Sequence, residues 1–373
     1  MEKPDRAPSR QGVSAPASAK PERETCNIVA IGGGTGLSTL LKGLKRYVRI
    51  APATAPEPSP AAPPPGDGPE IENLTAVVTV TDDGGSSGRL RREFNILPPG
   101  DIRNCMVALS EDEALLSQLF QYRFSAGEGL EGHSFGNLFL TAMTALTGGD
   151  FALAVRHASD ILATRGHIYP ATTSHVQLVA LMDDGSRVEG ETRITASTRR
   201  IVRLSLVPED AAPQPETLQA IAHADLITIG PGSLFTSLVT NLLVRGVVDA
   251  IAASSAIKVY ICNLMTQANE SLGFTASDHI RALREHAGTK LFDYALLNGA
   301  ALEPELRAKY ALEGAAPISP DHEKVVALGV EPIVGDYLAE GPVARHAADR
   351  VARDLLALLG RTRRPQGKRG AGG

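Results

Sequence analysis

CNIVAIGGGTGLSTLLKGLKRY, residues 26–47, holds the reading on which the fold depends. Its first part, CNIVAIGG, is a short apolar run with no charge, as a strand covered on both faces requires. Beyond the glycines, LSTLLKGLKRY spaces its leucines at helical intervals. Strand, glycine turn and helix in immediate succession, followed by the apolar run LTAVVTV (74–80), predict a unit of two parallel strands joined by a helix.

The pattern repeats outward from there. QLVALM (177–182) and RVEGETRI (187–194), joined by DDGS, read as a hairpin; IVRLSLV, DLITIG, KVYICN and FDYALLN read as further strands. SFGNLFLTAMTAL is apolar nearly all round and reads as a buried helix, while FALAVRHASDILA, PETLQAIAHA and SDHIRALREHA carry one-sided stripes. The alternation predicts an α/β fold, a three-layer α/β/α sandwich on a mainly parallel sheet with the hairpin as an antiparallel addition. One α/β domain is expected over 25–360. Residues 1–24 and the Pro/Ala-rich stretch within 51–70 read as a disordered tail and insertion, and 361–373 as a disordered basic tail.

Composition narrows the class. With 373 residues, 43% hydrophobic and 21% charged, the chain has ordinary material for a large core. No apolar run is long enough to span a bilayer, and MEKPDRAPSRQG lacks the apolar core of a secretory signal, so a cytoplasmic location without membrane insertion is expected. Cys26, Cys105 and Cys262 share no CxxC spacing and read as buried, reduced thiols. A formal charge of −5 offers no nucleic-acid signature.

Four stretches carry the chemistry. IGGGTGL (31–37) follows a strand and opens a helix, where backbone N–H groups and the helix terminus can receive a phosphate. It matches neither GxGxxG nor GK[ST], so the ligand stays open. TVTDDGGSSGRL (79–90) places Asp82 and Asp83 past the second strand; Gly84 to Gly88 can supply N–H and O–H donors to an anion, or the acids can form a solvated Asx turn. In LPPGDIRN, Asp101 reads as a helix N-cap, and Arg103 in the first turn opposes the macrodipole, which asks for a compensating anion. In GHSFGNL, His133 reads as a structural histidine and Ser134 as a cap, with Asn137 close by. IGPGSLFTS repeats the first turn, with Ser233 at an N-cap, and KVYICNLMTQ brings the amides of Asn263 and Gln267 to a strand end.

In this order IGGGTGL, TDDGGSSGRLR, PPGDIRN, GHSFGNL, IGPGSLFTS, YICNLMTQ and SDHI resemble the YvcK family of gluconeogenesis factors, which is similar to the 2-phospho-L-lactate transferase (CofD) family. The resemblance covers about residues 27–358. It implies a Rossmann-like fold and a cytoplasmic regulator that binds a UDP-sugar such as UDP-N-acetylglucosamine and links carbon metabolism to cell shape and peptidoglycan synthesis. Carried over by position, Gly33, Gly34, Thr35 and Gly36 would meet a diphosphate or ribose, with Asp82, Asp83 and Ser86 near. Asp101, Arg103, Asn104, Asn137, Gly232, Ser233, Asn263 and Gln267 would complete the cleft, and Arg345, in the Arg-His pair before the last helix, would clamp the diphosphate. Ala347 and Ala348 depart from the polar residues that follow this pair in relatives, which puts regulation through a hydroxyl there in doubt.

Two classes of function follow. One is a non-enzymatic nucleotide-sugar sensor with protein partners in cell-wall synthesis and a possible homo-oligomer. The other is a transferase of a phosphate-linked group, with magnesium on Asp82 or Asp83. For either, Asp83→Ala or Gly34→Val is expected to abolish ligand stabilisation and leave the unliganded melt nearly unchanged.

Overall fold

The computed structural model describes residues 24–49, 68–111 and 115–363. The expected terminal tails and the Pro/Ala-rich insertion fall almost wholly outside them. In chain order the elements are β1 Thr25–Gly32, α1 Gly34–Lys45, β2 Glu70–Val78, α2 Gly85–Phe94, α3 Gly100–Leu109, α4 Leu115–Gln121, α5 Phe135–Leu146, α6 Phe151–Ile161, β3 His167–Pro170, β4 Gln177–Met182, β5 Arg187–Glu189, α7 Glu191–Ala196, β6 Ile201–Val207, α8 Pro215–Ala222 and β7 Leu226–Ile229. A π-helical turn, Leu234–Val239, runs into α9 Thr240–Leu242. Then come α10 Val247–Ala253, β8 Ile257–Ile261, α11 Ala276–Ala287, β9 Tyr294–Asn298, α12 Pro304–Ala311, α13 His322–Ala327, β10 Glu331–Gly335 and α14 Ala348–Arg363.

The main sheet has seven strands in the order β10-β9-β8-β7-β1-β2-β3, every neighbouring pair parallel. From β1 the chain moves outward to β3, returns to β7 beside β1, and moves outward the other way to β10. The junction of β1 and β7 is therefore the place where strand order reverses, and ligands of open α/β sheets bind outside the carboxyl ends of strands at such a point. β1 shows why its sequence is apolar throughout. Ile28 and Ala30 pack toward α1, α3 and α14, while Val29 and Ile31 pack into the opposite layer with the π-helical turn, α10, α11 and the small sheet.

That small sheet is antiparallel in the order β5-β4-β6. The hairpin read from sequence is present, and IVRLSLV joins it as a third strand instead of entering the parallel sheet. RVEGETRI is a strand only to Glu189; Gly190, at φ 89°, breaks it and α7 begins. α5 is buried along a single stripe, Asn137, Leu140, Thr141 and Thr144, and leaves Leu146 81% exposed. Its two buried threonines satisfy their hydroxyls on the carbonyls of Asn137 and Leu140, so the apolar run pointed to more burial than occurs. β3 and β10 escaped sequence reading because each is a short edge strand that carries a proline. No single described helix is long and apolar enough to cross a membrane, and all three cysteines are buried and free.

Candidate functional site

One residue makes the first turn, since β1 ends at Gly32 and α1 begins at Gly34. Gly33 is extended, and Gly34 has φ 59°, which a residue with a Cβ adopts only under strain. The first amides of a helix have no partner within it. Here the Gly34 N–H is taken by the Asp101 carboxylate, while Thr35 and Gly36 face a cleft of about 600 Å³, a usual size for a small-molecule site. Gly36 is required for another reason: a Cβ there would stand 2.3 Å from the Pro231 carbonyl oxygen. The two glycine turns thus touch backbone to backbone at the switch point.

The second turn, Gly230 to Gly232, differs from its sequence reading. Ser233 stands at the cap position of the π-helical turn, yet its side chain makes no cap bond and accepts instead from Gln267 Nε2 at 3.0 Å. The cap is Glu270, which accepts from the Phe235 N–H at 3.1 Å and the Thr236 hydroxyl at 2.9 Å. Glu270 is 7% exposed, and burial raises its pKa. Asn263 bonds both sides of the turn, accepting from the Gly232 N–H at 3.2 Å and donating to the Gly232 carbonyl at 2.8 Å. An internal carboxylate already answers this helix end, so the amides left for an anion belong to the first turn.

Gly33, Gly34, Thr35, Gly36, Gly232, Ser233, Asn263, Gln267 and Arg345 all line the cleft. Tyr310, Glu313 and the strap Val343 to His346 form its far wall. The Tyr310 hydroxyl accepts from the Ala344 N–H at 3.0 Å, fixing the ring beside the strap. His346 donates from Nε2 to the Cys262 carbonyl at 3.0 Å.

The remaining sequence-selected residues form a polar layer behind the first turn, outside the cleft lining. Asp101 is not a cap, because α3 begins at Gly100 with Pro99 before it. Its carboxylate lies under the glycine turn, 2.9 Å from where a Gly33 Cβ would be. Burial first, and the Asp82 charge second, raise its pKa to about 6. Asp82 accepts from the Gly84 N–H at 2.9 Å, an Asx turn. Asp83 accepts from the Thr192 N–H at 2.8 Å and the Thr192 hydroxyl, tying the loop to α7. Burial raises the pKa of Glu191, which accepts from the Thr81 hydroxyl at 2.8 Å, to about 8.

Ser86 lies within α2, where sequence suggested only a loop. Its hydroxyl pairs with His133 Nδ1 at 2.9 Å and accepts from Asn137 Nδ2 at 3.0 Å, all three residues being buried. Burial, with Arg89 second, lowers the His133 pKa, as suits a neutral cross-brace between α2 and α5. Ser134 caps α5 as its sequence suggests. Arg103 donates to Ser134 Oγ and, at 2.8 Å, to Asn104 Oδ1; the Asp101 and Asp82 charges that compensate it act from farther off. Among the described residues no group of three His, Cys, Asp or Glu side chains is placed to hold a metal ion.

Comparison with known proteins agrees with this architecture. The model of the family described as 2-phospho-L-lactate transferase CofD matches residues 28–338. The chain belongs to the CofD family. Within that family it stands with the gluconeogenesis factors, the YvcK branch. The gluconeogenesis factor of Halalkalibacterium halodurans is 47% identical over 338 residues, spanning 90% of this chain and 97% of the relative. That of Bacillus subtilis is 46% identical over 334 residues, spanning 89% and 98%. Two crystal structures of a Bacillus halodurans protein, described in one of them as a member of the UPF0052 family, align with TM-scores of 0.81 and 0.80 at 46% and 47% identity, each covering 89% of this chain and 100% and 99% of theirs.

Proposed function

We propose that the cleft binds a nucleotide diphosphate sugar, UDP-N-acetylglucosamine in the first instance, and that the protein is a cytoplasmic regulator acting through that ligand. One observation carries the reading. The N-terminus of α1, with Gly34, Thr35 and Gly36, forms the floor of a cleft at the switch point of the sheet, and Arg345 lines the same cleft. Helix amides and an arginine fork are the donors a diphosphate requires. The names of the relatives support a place in carbon metabolism, and the output to cell shape and peptidoglycan synthesis, through protein partners, is part of the same proposal.

The reading is tested by a thermal-shift panel of UDP-N-acetylglucosamine, UDP-glucose, GDP and NAD, each with and without magnesium. A ligand at 100-fold over its Kd stabilises by about 2.7 kcal/mol. UDP-N-acetylglucosamine should give the largest shift, and no shift with any nucleotide sugar refutes the reading. The family description favours a second reading, transfer of a phosphate-linked group from a nucleotide diphosphate donor. Asp82 and Asp83 turn to different partners, Gly84 and Thr192, so the pair does not present two free carboxylates to one magnesium ion. Loss of UDP-N-acetylglucosamine over hours with magnesium and an acceptor would favour the transferase.

A further inference from the structure

We infer that His346 is the positioning residue that holds Arg345 over the cleft, by bonding the strap that carries Arg345 to the end of β8. The inference rests on the nucleotide diphosphate reading of the cleft. Arg345 is exposed, lines the cleft, and has no carboxylate within 4.0 Å among the described residues. A long side chain on a loose strap would lose backbone and rotamer freedom on meeting a diphosphate, and that loss weakens binding. The strap is not loose. Leu338 and His346 form an antiparallel bridge, in which the Ala339 N–H reaches the Arg345 carbonyl and the Ala347 N–H the Tyr337 carbonyl, both at 2.8 Å.

These bonds set the path of the strap relative to the segment that follows β10. Its side-chain bond to β8 is the one from His346 Nε2 to the Cys262 carbonyl. A carbonyl only accepts, so Nε2 carries the proton and the neutral ring is the Nε2–H tautomer. Burial lowers the His346 pKa to about 4, so the ring is a neutral donor at neutral pH. Cys262 adjoins Asn263, which braces Gly232. The arginine and the second turn are therefore referenced to the same strand end, one residue apart.

The test is a double-mutant cycle on the full chain, titrated calorimetrically with UDP-N-acetylglucosamine at several salt concentrations. Arg345→Ala should weaken binding about tenfold or more, as loss of a charge-assisted contact does, and flatten its salt dependence. His346→Ala should weaken binding about tenfold and flatten the salt dependence likewise, because the arginine is no longer placed. In the Arg345→Ala background, His346→Ala should change nothing further. His346→Gln, whose amide can donate to the same carbonyl, should bind within about threefold of wild type. If His346→Ala fails to fold, His346→Leu, which keeps the ring's bulk without the donor, takes its place in the cycle. Losses that multiply in the double variant, or a single variant with an unchanged salt slope, overturn the inference. If wild type itself does not bind, the reading of the cleft falls and the inference with it.

Discussion

Gly36→Ala tests the junction on which the site depends. Gly36 lies in the first turn of α1, where alanine would normally add about 1 kcal/mol of helix propensity. The structure reverses that sign. The new Cβ would stand 2.3 Å from the Pro231 carbonyl oxygen, 2.7 Å from its carbon and 3.0 Å from the Gly232 nitrogen. All three are backbone atoms, so relief requires the turns to part by about 1 Å at the centre of a close-packed sheet. Overpacking of this kind costs about 1–3 kcal/mol. Against the helix gain the net loss is up to about 2 kcal/mol. For 373 residues, with an unfolding entropy of about 2 cal/mol/K per residue, that is up to roughly 3 °C in Tm. The assay is chemical and thermal denaturation with and without UDP-N-acetylglucosamine, and stabilisation by the ligand should shrink with the unliganded stability because the same shift moves Thr35. A variant that melts at or above wild type and is stabilised equally by the ligand refutes the backbone contact.

Asp83→Ala removes the acceptor of the Thr192 N–H and hydroxyl. Unliganded stability should fall by about 1 kcal/mol, as for a lost helix cap, with ligand affinity held within a few-fold. A lost ligand shift on an unchanged melt would return Asp83 to the binding site, as sequence alone suggested. Glu191 supplies a pH test. Its pKa is raised from 4.5 to about 8, by burial first and by Asp82 second. The folded state therefore holds a proton that the unfolded chain has released, so this contribution is full below about pH 4.5 and is lost as pH rises through 8. In Glu191→Gln the fall of Tm between pH 5 and 8 should flatten; an unchanged slope would refute the shift. Finally, α12 has no buried residue. Its amides should exchange with solvent faster than those of α1 and slow when UDP-N-acetylglucosamine binds, whereas exchange as slow as that of α1 in the free protein would refute its weak attachment.

What the sequence disclosed follows from how local each feature is. β1 and α1 were legible because strand β1 meets apolar layers on both faces and the leucines of α1 meet one. The two glycine turns were legible because a backbone approach needs glycine at defined positions. α2 was not. GSSGRLRREF is polar, and its helix depends on Gly88 passing so close to Asp83 that a Cβ would lie 1.8 Å from the Asp83 carbonyl oxygen. Glu270 was invisible as a cap because the amide it serves precedes it by 35 residues. The destination of Asp83 lies 109 residues away. Sequence placed the acids at the correct sheet edge, and Asp82 turns locally to Gly84, while the partner of Asp83 is set by a contact between distant segments.

The same contacts say where a response to ligand can arise. The floor is backbone on backbone in the middle of seven strands, and moving it disrupts the core. The far wall is different in kind. Two hydrogen bonds join α12 to the strap and the residue before it, from the Ala344 N–H to Tyr310 and from Lys309 Nζ to the Pro342 carbonyl, each 3.0 Å. Breaking both costs about 1–3 kcal/mol, well below the 5–15 kcal/mol of a whole fold. A ligand shifts such an equilibrium only through contacts that differ between its two states. The strap supplies them, since it carries Arg345, is bonded to β8 by His346 and touches α12 through Tyr310. A phosphate held by Arg345 would thus bear on a helix followed by Leu312, 89% exposed. One strap stands between the cleft and this exposed helix end.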